Sequence, residues 1–219
     1  MKVVSRFRLF YFLSKTSSIA IYFLSYIFYQ KRVELVCAAI NQIQDDYWQA
    51  EIPNELVLSL ICGEDHRFYF HKGVDIYGVT RALRRTLLGN LEGASTIEQQ
   101  LVRTLISDYR ISIERKFSEI CLSVAISHRF SKKQIAFAYL RVAYFGNGLI
   151  GFKNANNLIG KSVEQYGLCP SCYLIAHLKY PKPALGIDEF ASRRIRRANR
   201  IHRIKEKMPK EWLSRNAVN

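Results

Sequence analysis

Apolar residues recur at three- and four-residue intervals along most of the chain, and alternating runs typical of strands do not stand out. Each such repeat predicts an amphipathic helix that turns one face toward a core. After residue 50 the predicted helices cover residues 55–62, 76–88, 97–105, 113–124, 132–143, 172–178 and 189–207. The sequence therefore predicts an all-α fold, with one compact domain over residues 32–219.

Capping residues mark where several of these helices begin and end. The predicted N-caps are Asn54, Asp75, Ser95 and Ser131, whose side chains can accept a bond from the first turn. Two of them form capping boxes, Ser95 with Glu98 and Ser131 with Gln134. The predicted stops are the glycines Gly63, Gly89 and Gly146. The predicted core stripes are Ile76, Val79, Leu83 and Leu87, then Ile97, Leu101 and Leu105, then Ile113, Phe117, Ile120 and Val124.

The N-terminal segment is apolar and aromatic. Residues 16–29 carry no charged side chain, and counting from residue 9 gives 21 residues that include Lys15. This length lies between that of a buried helix and that of a membrane span, and Lys15 can snorkel to the headgroups. More Lys and Arg precede the segment than follow it, which favours an N-terminus inside. We expect an uncleaved single-pass anchor in residues 1–31; the alternative is an amphipathic helix lying on the bilayer.

The net charge of +15 is concentrated at the two ends of the chain. Residues 2–32 carry +6 and residues 193–219 carry +8, which leaves +1 for residues 33–192. A nucleic-acid-binding fold more often carries its charge on the reading element, so nucleic acid is not an expected partner. Basic ends beside an apolar segment fit an anionic membrane surface better.

The five cysteines do not define a complete disulfide framework, because their number is odd. Cys169 and Cys172 have C-x-x-C spacing, but a zinc site needs two further ligands at suitable spacing, and none is evident. A redox pair needs a thioredoxin-like context, which is also missing. The sequence therefore favours unpaired thiols, buried or in loops, and predicts no metal site.

Two predicted helices carry polar faces that suit an anionic ligand. At about 100° per residue, Arg115, Lys116 and Glu119 share one arc turned away from the Phe117 stripe. On the preceding helix Gln99, Gln100 and Arg103 lie opposite Leu101. If both stripes pack inward, these faces can line one groove, where Arg and Lys would bind phosphate oxygens. The alternative is local: Ser95 and Glu98 only cap a helix, and Arg115 with Glu119 is a surface pair.

Four short motifs follow one another between residues 64 and 148. The first reads E-D-x-x-F-x-x-H-x-G and comprises Glu64, Asp65, Phe68, His71 and Gly73. The second reads G-x-S-T-x-x-Q-Q and comprises Gly93, Ser95, Thr96, Gln99 and Gln100. The third, R-K-x-x-E, comprises Arg115, Lys116 and Glu119; the fourth comprises Lys132, Ile135, Tyr139 and Leu140, followed by Tyr144, Phe145, Gly146 and Gly148. Together they resemble the peptidoglycan glycosyltransferases of family 51, over about residues 52–207.

The sequence departs from the family pattern at a few positions. Arg103 stands where the family usually has Lys, and Arg141 where it usually has Asn. Ser171 and Cys172 replace a common acidic–alanine pair, and His177 replaces a small residue. These departures leave room for a divergent or weakly active member.

The resemblance implies a lysozyme-like fold and a defined reaction. A membrane-anchored enzyme of this family polymerises lipid II into β-1,4 glycan strands, with inversion and release of undecaprenyl pyrophosphate. The implied catalytic residues are Glu64, as general base on the acceptor hydroxyl, and Glu119, which with its cations would hold the pyrophosphate or assist its departure. The implied substrate-binding residues are Asp65, Phe68, His71, Gly73, Ser95, Thr96, Gln99, Gln100, Arg103, Arg115, Lys116 and Arg141.

The resemblance also sets expectations for location and partners. The chain length predicts the monofunctional type, without a transpeptidase domain. The expected location is the bacterial cytoplasmic membrane, with the catalytic domain on its extracytoplasmic face. The expected partners are lipid II, the growing glycan strand, the anionic membrane and other cell-wall synthesis proteins. No cofactor is certain, although pyrophosphate chemistry often uses a divalent cation such as Mg²⁺ or Mn²⁺.

Two other functions fit the same motifs. A lysozyme-like glycan hydrolase also places a carboxylate near the sugar, but it has no phosphate for Arg115 and Lys116 to bind. A non-catalytic member could keep the fold and bind lipid II or partner enzymes as a scaffold. Turnover of lipid II separates these alternatives.

Overall fold

The computed structural model describes residues 2–46, 52–90, 93–158 and 160–208, and the helical class predicted from the sequence is confirmed. The helices are α1 (Lys2–Asp46), α2 (Asn54–Glu64), α3 (Ile76–Leu87), α4 (Ile97–Ile106), α5 (Ile113–Arg129), α6 (Lys132–Val142), α7 (Phe152–Ala155), α8 (Gly160–Tyr166), α9 (Pro170–Lys179) and α10 (Ala191–Glu206). A short hairpin, β1 (Tyr144–Gly146) and β2 (Leu149–Ile150), follows α6. Two 3₁₀ turns cover Phe68–Phe70 and Asn156–Leu158.

The chain divides into two compact units. The first comprises the described parts of Met1–Gln42 and Arg67–Ile135, and the second those of Ile43–His66 and Ala136–Asn219. Two of the points at which the chain passes from one unit to the other lie inside helices, one in α1 and one in α6. Each unit has its own buried side chains and is described separately below.

Helix α1 continues through the predicted boundary at residue 31, with one residue of non-helical backbone at Tyr29 (φ −133°, ψ 20°). In the first unit, its Val33, Val36 and Ile40 are buried. Tyr22 packs on the ring of His128 with centroids 4.8 Å apart. Among the described residues, no helix combines the length and apolar character that crossing a bilayer requires, and this includes the helix over the predicted anchor.

The buried residues of the first unit come mainly from α4 and α5. Ile97 and Leu101 of α4 are fully buried, as their spacing predicts, and Val102 lies beside them. On α5 the fully buried apolar side chains are Cys121, Leu122, Val124, Ala125 and Ile126. Burial of these apolar side chains is the main contribution to the stability of the α4–α5 pair, at about 25 cal/mol per Å² of apolar area.

The predicted core stripe of α3 is wrong, and that of α5 is wrong in its first two residues, although its last residue, Val124, is buried. Val79, Leu83 and Leu87 of α3 are exposed, and the buried residues of that helix are the small Gly78 and Ala82. On α5, Ile113 is 90 % exposed and Phe117 is 45 % exposed. Periodicity identifies an apolar face but not the element that covers it, so an apolar stripe can face solvent or a ligand.

In the second unit α2, α9 and α10 pack together. Their buried contacts include Leu60, Ile61, Ile175, Ala198 and Ile201. Gly63 was predicted to stop α2, but the helix continues to Glu64. A Cβ at position 63 would lie 2.9 Å from Ile175 of α9 and 3.0 Å from Ile201 of α10, so this glycine, inside α2, permits both helices to pack closely on it.

Two of the four predicted N-caps occur, and the other two are shifted by one residue. Asp75 accepts from the Gly78 amide at 2.9 Å, and Ser131 and Gln134 exchange the two bonds of a capping box. Thr96 rather than Ser95 caps α4, so the predicted box with Glu98 does not form. Pro53 rather than Asn54 precedes α2 and offers no side-chain cap.

The hairpin was not predicted, because its strands are too short to show alternation. Asn147 and Gly148 both have positive φ, 53° and 73°, as a tight hairpin turn requires. Gly146 also has positive φ, 100°, and its Cα faces the backbone of Lys182. A Cβ at Gly146 would lie 2.2 Å from the Lys182 nitrogen, whereas a Cβ at Gly148 would meet nothing within 4 Å.

These two glycines give a matched prediction about stability. We expect Gly148→Ala to lower the free energy of unfolding by about 1–2 kcal/mol, the cost of a left-handed residue with a Cβ. Gly146→Ala should cost at least about 1 kcal/mol more, because backbone must also move. Urea unfolding of both variants measures the difference, and equal losses would contradict the close approach to Lys182.

Candidate active site

A carboxylate held by three cations lies in the first unit. Glu119 is only 4 % exposed, although α5 was expected to turn it away from the core. Arg103 donates from Nε to Oε2 at 2.9 Å and from Nη2 to Oε1 at 3.0 Å. Arg115 Nη1 donates to Oε2 at 2.5 Å and Lys116 Nζ to Oε1 at 2.6 Å. We call Glu119, Arg103, Arg115 and Lys116 the Glu119 cluster; with one anion and three cations, its formal charge is +2.

The second and third motifs meet in this cluster. Lys116 Nζ also donates to Gln99 Oε1 at 2.7 Å and to Ser95 Oγ at 3.3 Å. The two polar faces predicted from α4 and α5 therefore lie together, although the Ile113 and Phe117 stripe does not pack inward. A shallow pocket opens beside them, lined by Arg32, Val102, Arg103, Ile106, Asp108, Arg115, Ser118 and Glu119.

The electrostatics of the cluster fix the charge of Glu119. Burial raises the pKa of the Glu119 carboxyl, but hydrogen bonds from Arg103 and Lys116 outweigh it and hold the pKa below its usual range. Burial lowers the pKa of the Lys116 ammonium, against the raising effect of Glu119. Glu119 is thus an anion that positions cations, and it is poorly suited to donate a proton.

A divalent cation does not fit the Glu119 cluster. Both carboxylate oxygens already accept bonds from Arg103, Arg115 and Lys116. A metal ion at this carboxylate would lie against the three cations that hold it.

The carbonyl of Gly73 joins the first motif to α4 and α5. Thr96 Oγ1 donates to it at 2.8 Å, Ser123 Oγ at 3.1 Å and Gln99 Nε2 at 3.4 Å. Gly73 has φ +85°, and a Cβ there would lie 2.5 Å from the backbone carbonyl oxygen of Ser123. Thr96 and Gln99 are buried and hold the Gly73 loop through these bonds, and their contact with substrate stays a prediction. Ser95 and Gln100 are half-buried and remain at the surface.

Phe68 and His71 of the first motif are also interior residues. Phe68 is fully buried, and Lys132 Nζ lies 4.3 Å from its ring centroid. His71 is buried, and its Nδ1 lies 4.0 Å from Glu98 Oε1. Glu98, predicted as a cap, is instead a fully buried carboxylate paired with Lys132. The sequence contained a signal for this burial, because Glu98 lies on the same face of α4 as the core residue Leu101.

Glu64 belongs to the second unit, as the last residue of α2. Arg197 of α10 donates from Nη2 to Glu64 Oε1 at 2.7 Å and to the Gly63 carbonyl at 2.8 Å. The next residue, Asp65, is buried, and its amide caps α2 by donating to Ile61 at 3.0 Å. Arg197 was missed by sequence reasoning, because the basic residues of α10 appeared to be a solvated or membrane-facing run.

The departures from the family pattern have structural partners, most of them in the second unit. Arg141 Nη1 donates to the Ile43 carbonyl at 3.1 Å, near the end of α1. Ser171 Oγ accepts from Ser59 Oγ at 2.9 Å. His177 is buried, with Nδ1 3.0 Å from the Tyr173 carbonyl and its ring edge-on to that tyrosine. Arg103, in the first unit, uses its planar fork on Glu119 in a way that a lysine cannot.

Comparison with known proteins identifies the family to which the chain belongs. The family model described as transglycosylase matches residues 34–208. The chain therefore belongs to this family, glycosyltransferase family 51, and the predicted resemblance is confirmed.

Three penicillin-binding proteins illustrate the similarity. Penicillin-binding protein 1A of Rickettsia conorii is 40 % identical over 136 residues, 59 % of this chain and 17 % of that protein. The protein of the same name from Rickettsia bellii is 37 % identical over 161 residues, 71 % of this chain and 20 % of that protein. Penicillin-binding protein 1F of Bacillus subtilis is 33 % identical over 150 residues, 66 % of this chain and 21 % of that protein. The matched part of the chain thus corresponds to about a fifth of the length of these relatives.

The buried His177 predicts how stability depends on pH. Burial lowers the pKa of His177 to about 4, from 6.5. As the pH falls through this interval the unfolded chain binds a proton that the folded chain does not, so the free energy of unfolding should fall by a few kcal/mol. His177→Leu should remove most of this loss. Urea unfolding of both proteins between about pH 7 and about pH 4 measures this loss. If the free energy of unfolding falls equally with pH in both, the loss does not come from His177.

Proposed function

We propose that the protein transfers glycan strands from a lipid-linked pyrophosphate onto lipid II, extending a β-1,4 glycan. The observation that carries this proposal is the Glu119 cluster, whose formal charge of +2 suits a diphosphate. Three cations converge on one side chain, and Arg103 and Lys116 keep part of their surface exposed, 30 % and 38 %. A neutral glycan, the substrate of a hydrolase, would make no use of this charge.

In this proposal the cluster acts on the leaving group. The bond between the anomeric carbon of the donor and the pyrophosphate oxygen breaks, and negative charge develops on that oxygen. Arg103, Arg115 and Lys116 stabilise the charge, because they are already held in place when the substrate arrives. Glu119 aligns these cations and is not the proton donor, which narrows the role predicted from the sequence.

Glu64 is proposed as the general base. The acceptor 4-hydroxyl oxygen forms the new bond to the anomeric carbon from the face opposite the leaving group, and its proton passes to the Glu64 carboxylate. This gives inversion at the anomeric carbon. The bond from Arg197 to Oε1 orients the carboxylate, and the exposure of the Glu64 side chain is 13 %.

Exposed apolar residues support a site that works at a lipid surface. Ile111 and Ile113, just before the cationic residues of the third motif, are 101 % and 90 % exposed. On α1, Ile19, Phe23 and Ile27 are exposed on one face at four-residue spacing. We propose that these faces contact lipid, with the protein acting at the extracytoplasmic side of a bacterial membrane. An α1 that lies on the bilayer is the version of the predicted anchor that the exposed face favours.

The base assignment leads to a prediction for Glu64→Gln. We expect polymerisation of lipid II to fall by at least about 100-fold, because the acceptor hydroxyl loses its proton acceptor. Binding of lipid II and thermal unfolding should stay close to those of the unaltered protein. Product length on gels and release of undecaprenyl pyrophosphate measure the reaction.

The matched control for this experiment is Glu114→Gln, an exposed glutamate on the same helix as Glu119. It should polymerise lipid II at the normal rate. Full activity of Glu64→Gln would overturn the base assignment. Binding of lipid II without polymer by the unaltered protein would indicate a scaffold, and loss of preformed strands would indicate a hydrolase.

The lipid contact leads to a prediction for α1. Replacing Ile19, Phe23 and Ile27 together by Ser should weaken binding to phosphatidylglycerol-containing vesicles by at least about tenfold, since each apolar side chain gains about 1.5–3 kcal/mol when it leaves water. Leu35→Ser, at an exposed position of the same helix, is the control and should bind normally. Vesicle flotation measures binding, and equal recovery of both variants would contradict a lipid-facing α1.

A further inference from the structure

Two thiols and an imidazole converge in the second unit, where three helices meet. Cys169 and Cys172 lie at the start of α9, and His202 lies on α10. Their ligand atoms, two Sγ and one ring nitrogen, all lie within 4.8 Å of one another. The sequence offered only the C-x-x-C pair, because His202 is 30 residues further along and is placed beside it by packing.

We propose that Cys169, Cys172 and His202 form a binding site for a zinc-like divalent cation. Ligand atoms about 2.0–2.3 Å from a tetrahedral zinc ion lie roughly 3.3–3.8 Å apart, so the three side chains need only small rotations to close on one ion. Two thiolates and a neutral imidazole carry a charge of −2, which balances a dication. Soft sulfur with nitrogen is a donor set that zinc prefers over magnesium or calcium.

A fourth ligand is already adjacent. Glu55 Oε1 lies 3.7 Å from Cys169 Sγ, close to the spacing between two ligands of one tetrahedral ion. Glu55 lies in the first turn of α2, so a bound ion would connect α2, α9 and α10, the helices that build this unit. We propose that the site is structural, with Glu55 as the fourth ligand once its side chain turns toward Cys172 and His202.

Lys205 shows that this location already attracts positive charge. Its Nζ lies 3.2 Å from Cys169 Sγ and 2.7 Å from Glu55 Oε1. A metal ion would take over these contacts, and the lysine side chain would turn to solvent. Lys205 therefore competes with the ion, and its removal should strengthen metal binding.

The site does not depend on the proposed glycan chemistry, and its test does not measure activity. The protein is prepared with a phosphine reductant, chelator-treated, and shown by thiol titration to have its five cysteines reduced. Co²⁺ is then titrated as a spectroscopic substitute for Zn²⁺, and Zn²⁺ is added in competition. We expect one Co²⁺ per chain, with thiolate-to-cobalt charge transfer and intense tetrahedral bands that Zn²⁺ abolishes.

Five variants make the test specific. Cys169→Ser and His202→Gln should each weaken Zn²⁺ binding by more than about 100-fold, beyond the effect expected for a residue that only orients a ligand. Cys121→Ala and His128→Gln, a buried cysteine and an exposed histidine of the first unit, should bind normally. Lys205→Gln should bind Zn²⁺ several-fold more tightly.

The contrary results are equally defined. Absence of stoichiometric Co²⁺ or Zn²⁺ with all thiols reduced would overturn the site. So would binding that Cys169→Ser and His202→Gln both leave intact. Weaker binding by Lys205→Gln would overturn the proposed competition between lysine and metal.

Discussion

The ion pairing of Glu119 is the interaction on which the candidate site depends. An isolated carboxylate at this depth would be costly, and the cost is offset only because two guanidiniums and an ammonium bond to it directly. The same bonds hold three cations close together, which would otherwise repel one another. Burial of one anion is therefore what makes a preorganised cationic surface stable at the first turns of α5. Preorganisation of this kind is what stabilises charge in a transition state without further rearrangement.

The motif residues divide into two groups once their burial is known. Ser95, Gln100, Arg103 and Lys116 reach the surface, whereas Phe68, His71, Thr96 and Gln99 are interior. The two groups are joined by the bond that Lys116 donates to Gln99, at 2.7 Å. A short motif in a sequence can thus contain both exposed polar residues and the interior framework around them.

Local features were predictable from the sequence, and long-range partners were not. The Ser131–Gln134 capping box and the Asp75 cap depend on residues three positions apart, so the sequence predicted both. The Ile113 and Phe117 stripe failed because a periodic pattern does not name the surface that it faces. Arg197 is 133 residues from Glu64, and only the packing of α10 on α2 reveals the pair. The motif order, in contrast, was enough to identify the family.

The Gly73 carbonyl has a consequence for how substitutions combine. It accepts from Thr96, Gln99 and Ser123, so the loop and two helices share a single acceptor. Effects of changes at these three donors should therefore be non-additive, since the loss of one bond lets the others readjust or fail together. During evolution, substitution of any one of these three donors is constrained by the other two. We expect all three residues to change together or to stay unchanged.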